Sequence, residues 1–478
     1  MDWGIALWLL GFFFPPLPSA GPAPTWGISS APKPCAPLST TNPCGFKLLK
    51  SKDSVHAPVY LAKEEHGTYN HAVMMDYFDG FFLLSWKNSP QDEEQPGQRV
   101  LYSTSDDGFA WSPTDGTNIL FPNVSTAANP AHLFAEPSVI VGDRRYATAT
   151  FSQFSAHPTP NPGAMLMRQV FPDKTMGPIF WAAAKPWEQF LEGATLAGVK
   201  LLHEMDAQTQ ADAGLLFRGS YLPCGFNHSL KCEAVVGDPL PARESGFWNV
   251  PNSEQQVVMF RHRGPRQPFQ WSIRESPSGQ WSEVRDSNFP DIGSNLNAGQ
   301  LPSGAVYVLS NACPKVLGPP KRDPLVVSLA EDGILFTRAF AISTCHMHLG
   351  TCVPRFPGSH KDSGPSYPQG VTVVGKGPLD GLYVSFSNNK EDIWVTKVPY
   401  HALTLEEEDG DSQEFPGDGG ELDNINDLPG KGSSLPALGE SFVCRAAQLM
   451  MQHFSFSRYQ DFSPGAAAGC CTGSAEAL

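Results

Sequence analysis

The chain has 478 residues and a formal net charge of -15, with 44 glycines, 45 prolines and 11% aromatic residues. Ten Asp or Glu residues fall between Leu405 and Asp427, which leaves an ordinary surface charge of about -5 for the rest. No basic cluster interleaved with aromatics marks a nucleic-acid surface, and the high Gly and Pro content suits many short strands and turns.

Residues 1–20 open with an apolar run, Trp3 to Phe14, followed by PPLPSA. The run is too short to span a bilayer and ends at small residues, which predicts a signal peptide cleaved after Ala20 and a secreted, extracellular protein. Asp2 is the only charge ahead of it, an unusual start for such a peptide. No later segment is long and apolar enough for a membrane span. Residues 21–54 are rich in Pro, Ser and Cys and are expected on the surface. Ten cysteines in a secreted chain argue for disulfides, with Cys35/Cys44, Cys224/Cys232 and Cys345/Cys352 each closing a short loop. The last of these, Cys345-His346-Met347-His348-x3-Cys352, also has ligands for Zn²⁺, and a disulfide is the preferred reading in an oxidising compartment. Asn123-Val-Ser125 and Asn227-His-Ser229 are acceptor sites that fit loops of a glycoprotein.

From Val55 the chain alternates β-branched and aromatic runs with turn residues. YNHAVMMDYF, FFLLSW and RVLYST predict three strands, joined by a turn at Asp79-Gly80 and a polar loop, KNSPQDEEQPGQ. They lead into Ser103 to Trp111, STSDDGFAW, whose acid-Asp-Gly core predicts a turn between antiparallel strands. There a carboxylate caps N–H groups two residues on, and Gly takes the left-handed conformation at no steric cost. The pattern returns at Ser328 to Phe336, SLAEDGILF, after the run DPLVVS, with weaker traces at Ser276 to Trp281 and Asp173 to Gly177. The same grammar places further units near 130–185, 190–245, 246–290, 291–345 and 365–400, the second of these poorly patterned. Second strands ending Ser85-Trp-Lys-Asn88, Ser310-Asn311 and Ser387-Asn388 recur, as radial repetition predicts. Residues near 55–62 are expected to close the ring within the last sheet. From 402 to 478 the acidic, Gly-rich sequence is expected to be largely disordered.

Thr104-x-Asp106-x-Gly108-x-Ala110-Trp111 resembles the Asp-box, or BNR repeat, of the sialidase superfamily, and Glu331-Asp332-Gly333-x-x-Phe336 resembles a degenerate copy. The resemblance implies an all-β fold over 55–401, a six-bladed β-propeller, with seven shorter blades as the alternative. In such a blade the innermost strand comes first, so the turns from third to fourth strand lie on one rim. The opposite rim, built from second-to-third loops and the approaches to first strands, is the expected home of function.

On that rim Arg99, Arg168 and Arg322 recur near third strands. The planar guanidinium matches a carboxylate, so these three are expected to clamp an acidic sugar, sialic or uronic. The resemblance implies a Tyr nucleophile assisted by a Glu, with an Asp acid/base. Tyr367 is then the candidate Tyr, with Glu136 or Glu391 as its partner, and Asn297 and Gln369 as further substrate contacts. Two features depart from the family pattern. Its Arg-Ile-Pro motif is absent, and Tyr69-Asn70-His71 stands in its place. The Asp acid/base has no clear counterpart, since Asp92, Glu93 and Glu94 match only in position. His71 at the axis would suit proton abstraction from a uronic acid. The expected function is cleavage of a glycosidic bond in an acidic glycan or polysaccharide. A lyase using the His71/Tyr367 pair, or a non-catalytic glycan- or protein-binding propeller, are the alternatives. No cofactor is required by these residues, and a structural Ca²⁺ or Zn²⁺ is left open. No phosphate loop, HExxH or Gly-x-Ser-x-Gly supports nucleotide or serine-hydrolase chemistry.

Overall fold

In the computed structural model, the residues described are 22–27, 47–49, 54–93, 95–125, 131–153, 164–182, 191–217, 244–262, 268–312, 322–344 and 352–404. The alternating stretches fold there into antiparallel blades. Blade 1 takes Tyr69–Phe78, Phe81–Ser89, Arg99–Ser105 and Ile119–Phe121, in that order across the sheet. Blade 2 takes Ala131–Val141, Arg144–Gln153, Ala164–Val170 and Phe180–Trp181, and blade 3 takes Ser245–Asn249, Gln256–Phe260, Gln270–Arg274 and Arg285–Asp286. Blade 4 runs Asn297–Gln300, Val306–Ser310, Leu325–Ala330 and Arg338–Ser343, with Lys47–Leu48 added in parallel outside it. Blade 5 takes Pro365–Val373, Gly381–Asn388 and Asp392–Val398 and is closed by Val55–Tyr60, antiparallel to Asp392–Val398. The ring closure expected for residues 55–62 is therefore present. First strands touch between blades 5 and 1, 1 and 2, 3 and 4, and 4 and 5, which places them innermost. All nine residues of Phe81–Ser89 are buried, because a blade lies on each face of the sheet, and this removes the polar alternation from FFLLSW.

Five blades stand where six were expected. The stretch 190–245 is not a blade in its described part, which holds the helices Leu191–Leu196 and Ala207–Phe217. The second helix, AQTQADAGLLF, is dominated by strong helix formers and has no β-branched alternation. It is tied to blade 2 by Tyr146, whose hydroxyl donates to Asp212 at 2.5 Å. Residues 21–54 also depart from expectation, since parts of them enter the core. Thr25–Trp26 pairs in parallel with Leu335–Phe336, and the Trp26 ring meets Phe289 with centroids 4.7 Å apart. A short helix, Tyr400–Thr404, extends the folded unit slightly past 401 and buries Ala402 and Leu403. The expected signal peptide at 1–20, the residues from 405 and every cysteine except Cys352 lie outside the described residues.

The two acidic bends share one geometry. The Asp107 carboxylate accepts the N–H groups of Phe109 and Ala110, both at 2.8 Å, and Asp332 does the same for Ile334 and Leu335 at 2.8 and 2.7 Å. The first acid of each pair instead reaches a cation, Asp106 to Lys174 and Glu331 to Arg338. All four turns noted in the sequence join third and fourth strands, those of blades 1 to 4. Gly108 has φ +78°, and a Cβ there would collide with the Tyr383 ring of blade 5. Gly108→Ala is therefore expected to lower stability by about 1–3 kcal/mol. Chemical denaturation measures this, and an unchanged midpoint would contradict the packing described.

Candidate active site

A bulge shapes the rim opposite those bends. The first strands of blades 1, 2 and 5 break register at His71/Met74, Glu136/Val139 and Ser366/Gln369. At the bulge Tyr367 takes φ +56°, and Ala72 takes the matching φ +55° in blade 1. A bulky residue in this conformation costs on the order of 1–3 kcal/mol, and such strain is concentrated at functional sites. It sets the Tyr367 ring 4.0 Å from the His71 ring and 5.0 Å from the Arg322 guanidinium carbon.

The Tyr367 hydroxyl donates to Glu244 and accepts from Arg261 Nη1 at 2.9 Å, while the same Nη1 lies 2.7 Å from the other Glu244 oxygen. Glu244 immediately precedes the first strand of blade 3, and Arg261 directly follows its second. Arg322, on the second-to-third loop of blade 4, pairs with Asp362 at 3.0 Å. Asp362 also holds Lys390 at 3.0 Å, and Lys390 lies 3.5 Å from Glu93. Glu93 is in turn 3.7 Å from the buried Lys87, whose Nζ sits 3.3 Å from His132 Nδ1 and over the Phe134 ring. The result is a continuous set of charges drawn from blades 1, 3, 4 and 5.

Burial and pairing oppose one another in this set. Burial pushes the Glu244 carboxyl up, but Arg261 and the Tyr367 hydroxyl outweigh it and hold Glu244 below the usual range. Burial likewise raises Glu93 and Asp362, and their cations win: Lys390 and Lys87 keep Glu93 well below an ordinary Glu, and Arg322 and Lys390 lower Asp362. Burial and the neighbouring Glu244 carboxylate raise the Tyr367 phenol strongly. Burial, then Lys390 and Arg322, hold the His71 imidazole well below its ordinary value. Its Nδ1 lies 2.7 Å from Ser387 Oγ, and its buried Nε2 has no hydrogen-bond partner among the described residues. Among the described residues no group of three His, Cys, Asp or Glu side chains could hold a metal ion.

Of the residues singled out in the sequence, His71, Tyr367, Arg322 and Glu93 come together, and the others do not. Arg99 donates to Asn88 and to the His66 carbonyl, because it lies opposite Asn88 in the sheet. Arg168 is spent on the carbonyls of Gly177 and Leu120. Glu136 is buried beside Thr150, which donates to it at 2.6 Å, and burial raises its carboxyl well above the usual range with no cation to offset it. Glu391 accepts the N–H groups of Arg355 and Phe356 and pairs with Lys361 at 3.0 Å, so it anchors a loop rather than assisting Tyr367. Asn297 and Gln369 bond each other at 2.8 Å, pinning blade 4 to blade 5. Asp92 caps Ser359 and His360, and Glu94 lies outside the described residues. The missed residues are Glu244 and Arg261. Arg261 could have been found, since it follows QQVVMF as Asn311 follows VYVLS.

Comparison with known proteins agrees with the propeller fold. Residues 56–139 match a family model described as "Beta-prop_BT_1020:-like, N-terminal beta propeller". A solved structure named "Sialidase" superposes with a TM-score of 0.59 at 20% identity, covering 74% of this chain and 33% of that one. The fold is that of a sialidase-like β-propeller. This propeller thus spans about a third of the length of that sialidase. A mutant of Trypanosoma rangeli sialidase displaying trans-sialidase activity aligns at 10% identity and a TM-score of 0.44, over 75% of this chain and 60% of that one. A family 117 glycoside hydrolase from Zobellia galactanivorans aligns at 9% identity and 0.34, over 73% and 91%. A comparison with curated proteins returned no match.

The loop at residues 355–361 depends on Glu391. Its loss leaves the Lys361 ammonium, whose side chain is 1% exposed, without its carboxylate. Glu391→Gln is expected to cost about 3–5 kcal/mol. A thermal melt tests this, and an unshifted midpoint would refute the anchoring role.

Proposed function

We propose that this protein is a glycoside hydrolase that cleaves at an acidic sugar, with Tyr367 as nucleophile and Glu244 as its base. One observation carries the reading: the Tyr367 hydroxyl is hydrogen-bonded to a buried carboxylate that Arg261 keeps ionised. A neutral phenol is a weak nucleophile, and an adjacent base is what activates it. The O–H proton passes to Glu244 as the phenol oxygen attacks the anomeric carbon. Arg322 is suited to the sugar carboxylate, since its buried Nη1 has no hydrogen-bond partner among the described residues. Arg261, Arg322, Lys87 and Lys390 face Glu93, Glu244 and Asp362, one cation in excess, which favours a monoanionic ligand. The apolar leader at residues 3–14 supports placing this activity outside the cell.

A second reading rests on His71. A neutral imidazole whose buried Nε2 has no hydrogen-bond partner among the described residues, beside Tyr367, suits proton abstraction from a uronic acid, which gives eliminative cleavage. The products separate the two readings, since elimination leaves an unsaturated sugar that absorbs in the ultraviolet and hydrolysis does not.

The test is turnover of methylumbelliferyl sialosides, glucuronides and galacturonides. Tyr367→Phe should reduce kcat/KM by about 10³-fold or more. Arg322→Met should raise KM by roughly tenfold to a hundredfold, the loss of one charge-assisted contact. Full activity in Tyr367→Phe would reject the nucleophile.

A further inference from the structure

Arg322 already holds a carboxylate. Its Nη2 lies 3.0 Å from Asp362 Oδ2 and reaches the Gly293 carbonyl at 3.5 Å, while its buried Nη1 has no hydrogen-bond partner among the described residues. A carboxylate binds a guanidinium most tightly through two parallel N–H bonds, and the end-on form of that pairing needs both terminal nitrogens. Asp362 takes one of them with a single oxygen. Among the described residues it is the only carboxylate paired with Arg322. Burial raises the Asp362 carboxyl, but Arg322 and Lys390 outweigh it and keep it below the usual range. At neutral pH it therefore meets an incoming anion as an anion.

Asp362 can leave Arg322 without losing its charge balance. The same Oδ2 lies 3.0 Å from Lys390 Nζ, which remains as a partner. The Asp362 side chain is 24% exposed, against 8% for Arg322 and 6% for Lys390, so of the three only the aspartate has ready access to water. The chain on either side is fixed by other contacts. Lys361 pairs with Glu391 at 3.0 Å, the Ser363 carbonyl accepts the Arg322 N–H at 2.7 Å, and the Gly364 N–H donates to Asn389 Oδ1 at 2.8 Å. Rotation of one side chain between rotamers is enough to free Arg322, with no movement of the loop.

We propose that Asp362 sets the affinity and selectivity of this site by competing with the ligand's carboxylate for Arg322. This role rests on the acidic-sugar reading above. On binding, the two ligand oxygens take Nη1 and Nη2 together, and Asp362 turns onto Lys390 alone. A neutral sugar has nothing with which to displace Asp362 and meets a guanidinium that is already neutralised. An anion that presents a single oxygen gains only Nη1. The resident carboxylate therefore lowers the affinity for every acid while favouring those that bind through both oxygens, a selection made by opposing the wrong ligand as well as attracting the right one.

The test measures calorimetric binding of the S-methyl thioglycosides of glucuronic acid and N-acetylneuraminic acid, which resist hydrolysis, beside their methyl esters, which carry no charge. Asp362→Asn should tighten binding of at least one acid by about tenfold or more, the weight of one charge-assisted hydrogen bond, and leave its ester unchanged. The acid-to-ester ratio is taken within one preparation, so partial unfolding of the variant does not alter it. In a crystal structure of the wild type with the acid bound, both carboxylate oxygens should lie on Arg322, with Asp362 on Lys390 alone. A ratio that stays level or falls in Asp362→Asn makes Asp362 a support for Arg322 and overturns the competition. A bound acid with the 3.0 Å pair still intact overturns it equally. Both results leave the acidic-sugar reading in place. If neither the wild type nor the variant binds either acid, that reading fails and the competition fails with it.

Discussion

A buried hydrogen bond between a phenol and a carboxylate, Tyr367 to Glu244, is the interaction on which the site turns. It joins residues 123 positions apart and brings blade 5 against blade 3 across the ring. An isolated carboxylate at that depth would neutralise rather than stay charged. Arg261 prevents this, and its guanidinium is itself held protonated by Glu244 although burial works against it. The same logic governs Glu93 and Asp362, whose carboxylates are held ionised by Lys390 and Lys87 and by Arg322 and Lys390. Removing any one member leaves another charge uncompensated, so the set acts as a unit.

The five blades supply the frame for that unit. Acidic turns occupy one rim, where they satisfy the backbone of third-to-fourth connections. The other rim is free to carry longer loops, and these are fixed by carboxylates of their own. Asp92 and Glu391 both reach into residues 355–361, one from blade 1 and one from blade 5. Asp392 pairs with Arg355 and also accepts the Ala62 N–H at 2.9 Å, coupling that loop to the strand that closes the ring. Rigid support of this kind suits a site whose residues come from distant segments.

The parts of this arrangement governed by local chemistry were legible in the sequence. An acid-Asp-Gly turn is specified within four residues, so the bends of blades 1 and 4, and with them the rim that carries such turns, could be placed. The role of each acid was less legible, because only the fold shows that Asp107 caps while Asp106 reaches Lys174. Closure by residues 55–60 was readable as an orphan strand. The blade count failed at 190–245, where helix-forming sequence was read as a weak blade, and this concealed Glu244 at its end. Arg99 and Arg168 had suitable chemistry, but they lie within the third strands of blades 1 and 2. Their direction depends on sheet register and on which carbonyls lie unpaired nearby, neither of which local pattern reveals. Tyr367 was found through its place on a first strand, while its acid partner, 123 residues away, was not.

The central claim is that the Tyr367 oxygen attacks an acidic sugar. Its most direct test is covalent trapping with fluorinated acidic glycosyl fluorides, 2,3-difluorosialic acid and a 2-deoxy-2-fluoro uronosyl fluoride, followed by intact-mass and peptide mapping. The account predicts a single adduct on Tyr367 that is absent from Tyr367→Phe. No adduct with either reagent, or one that persists in that variant, would contradict it.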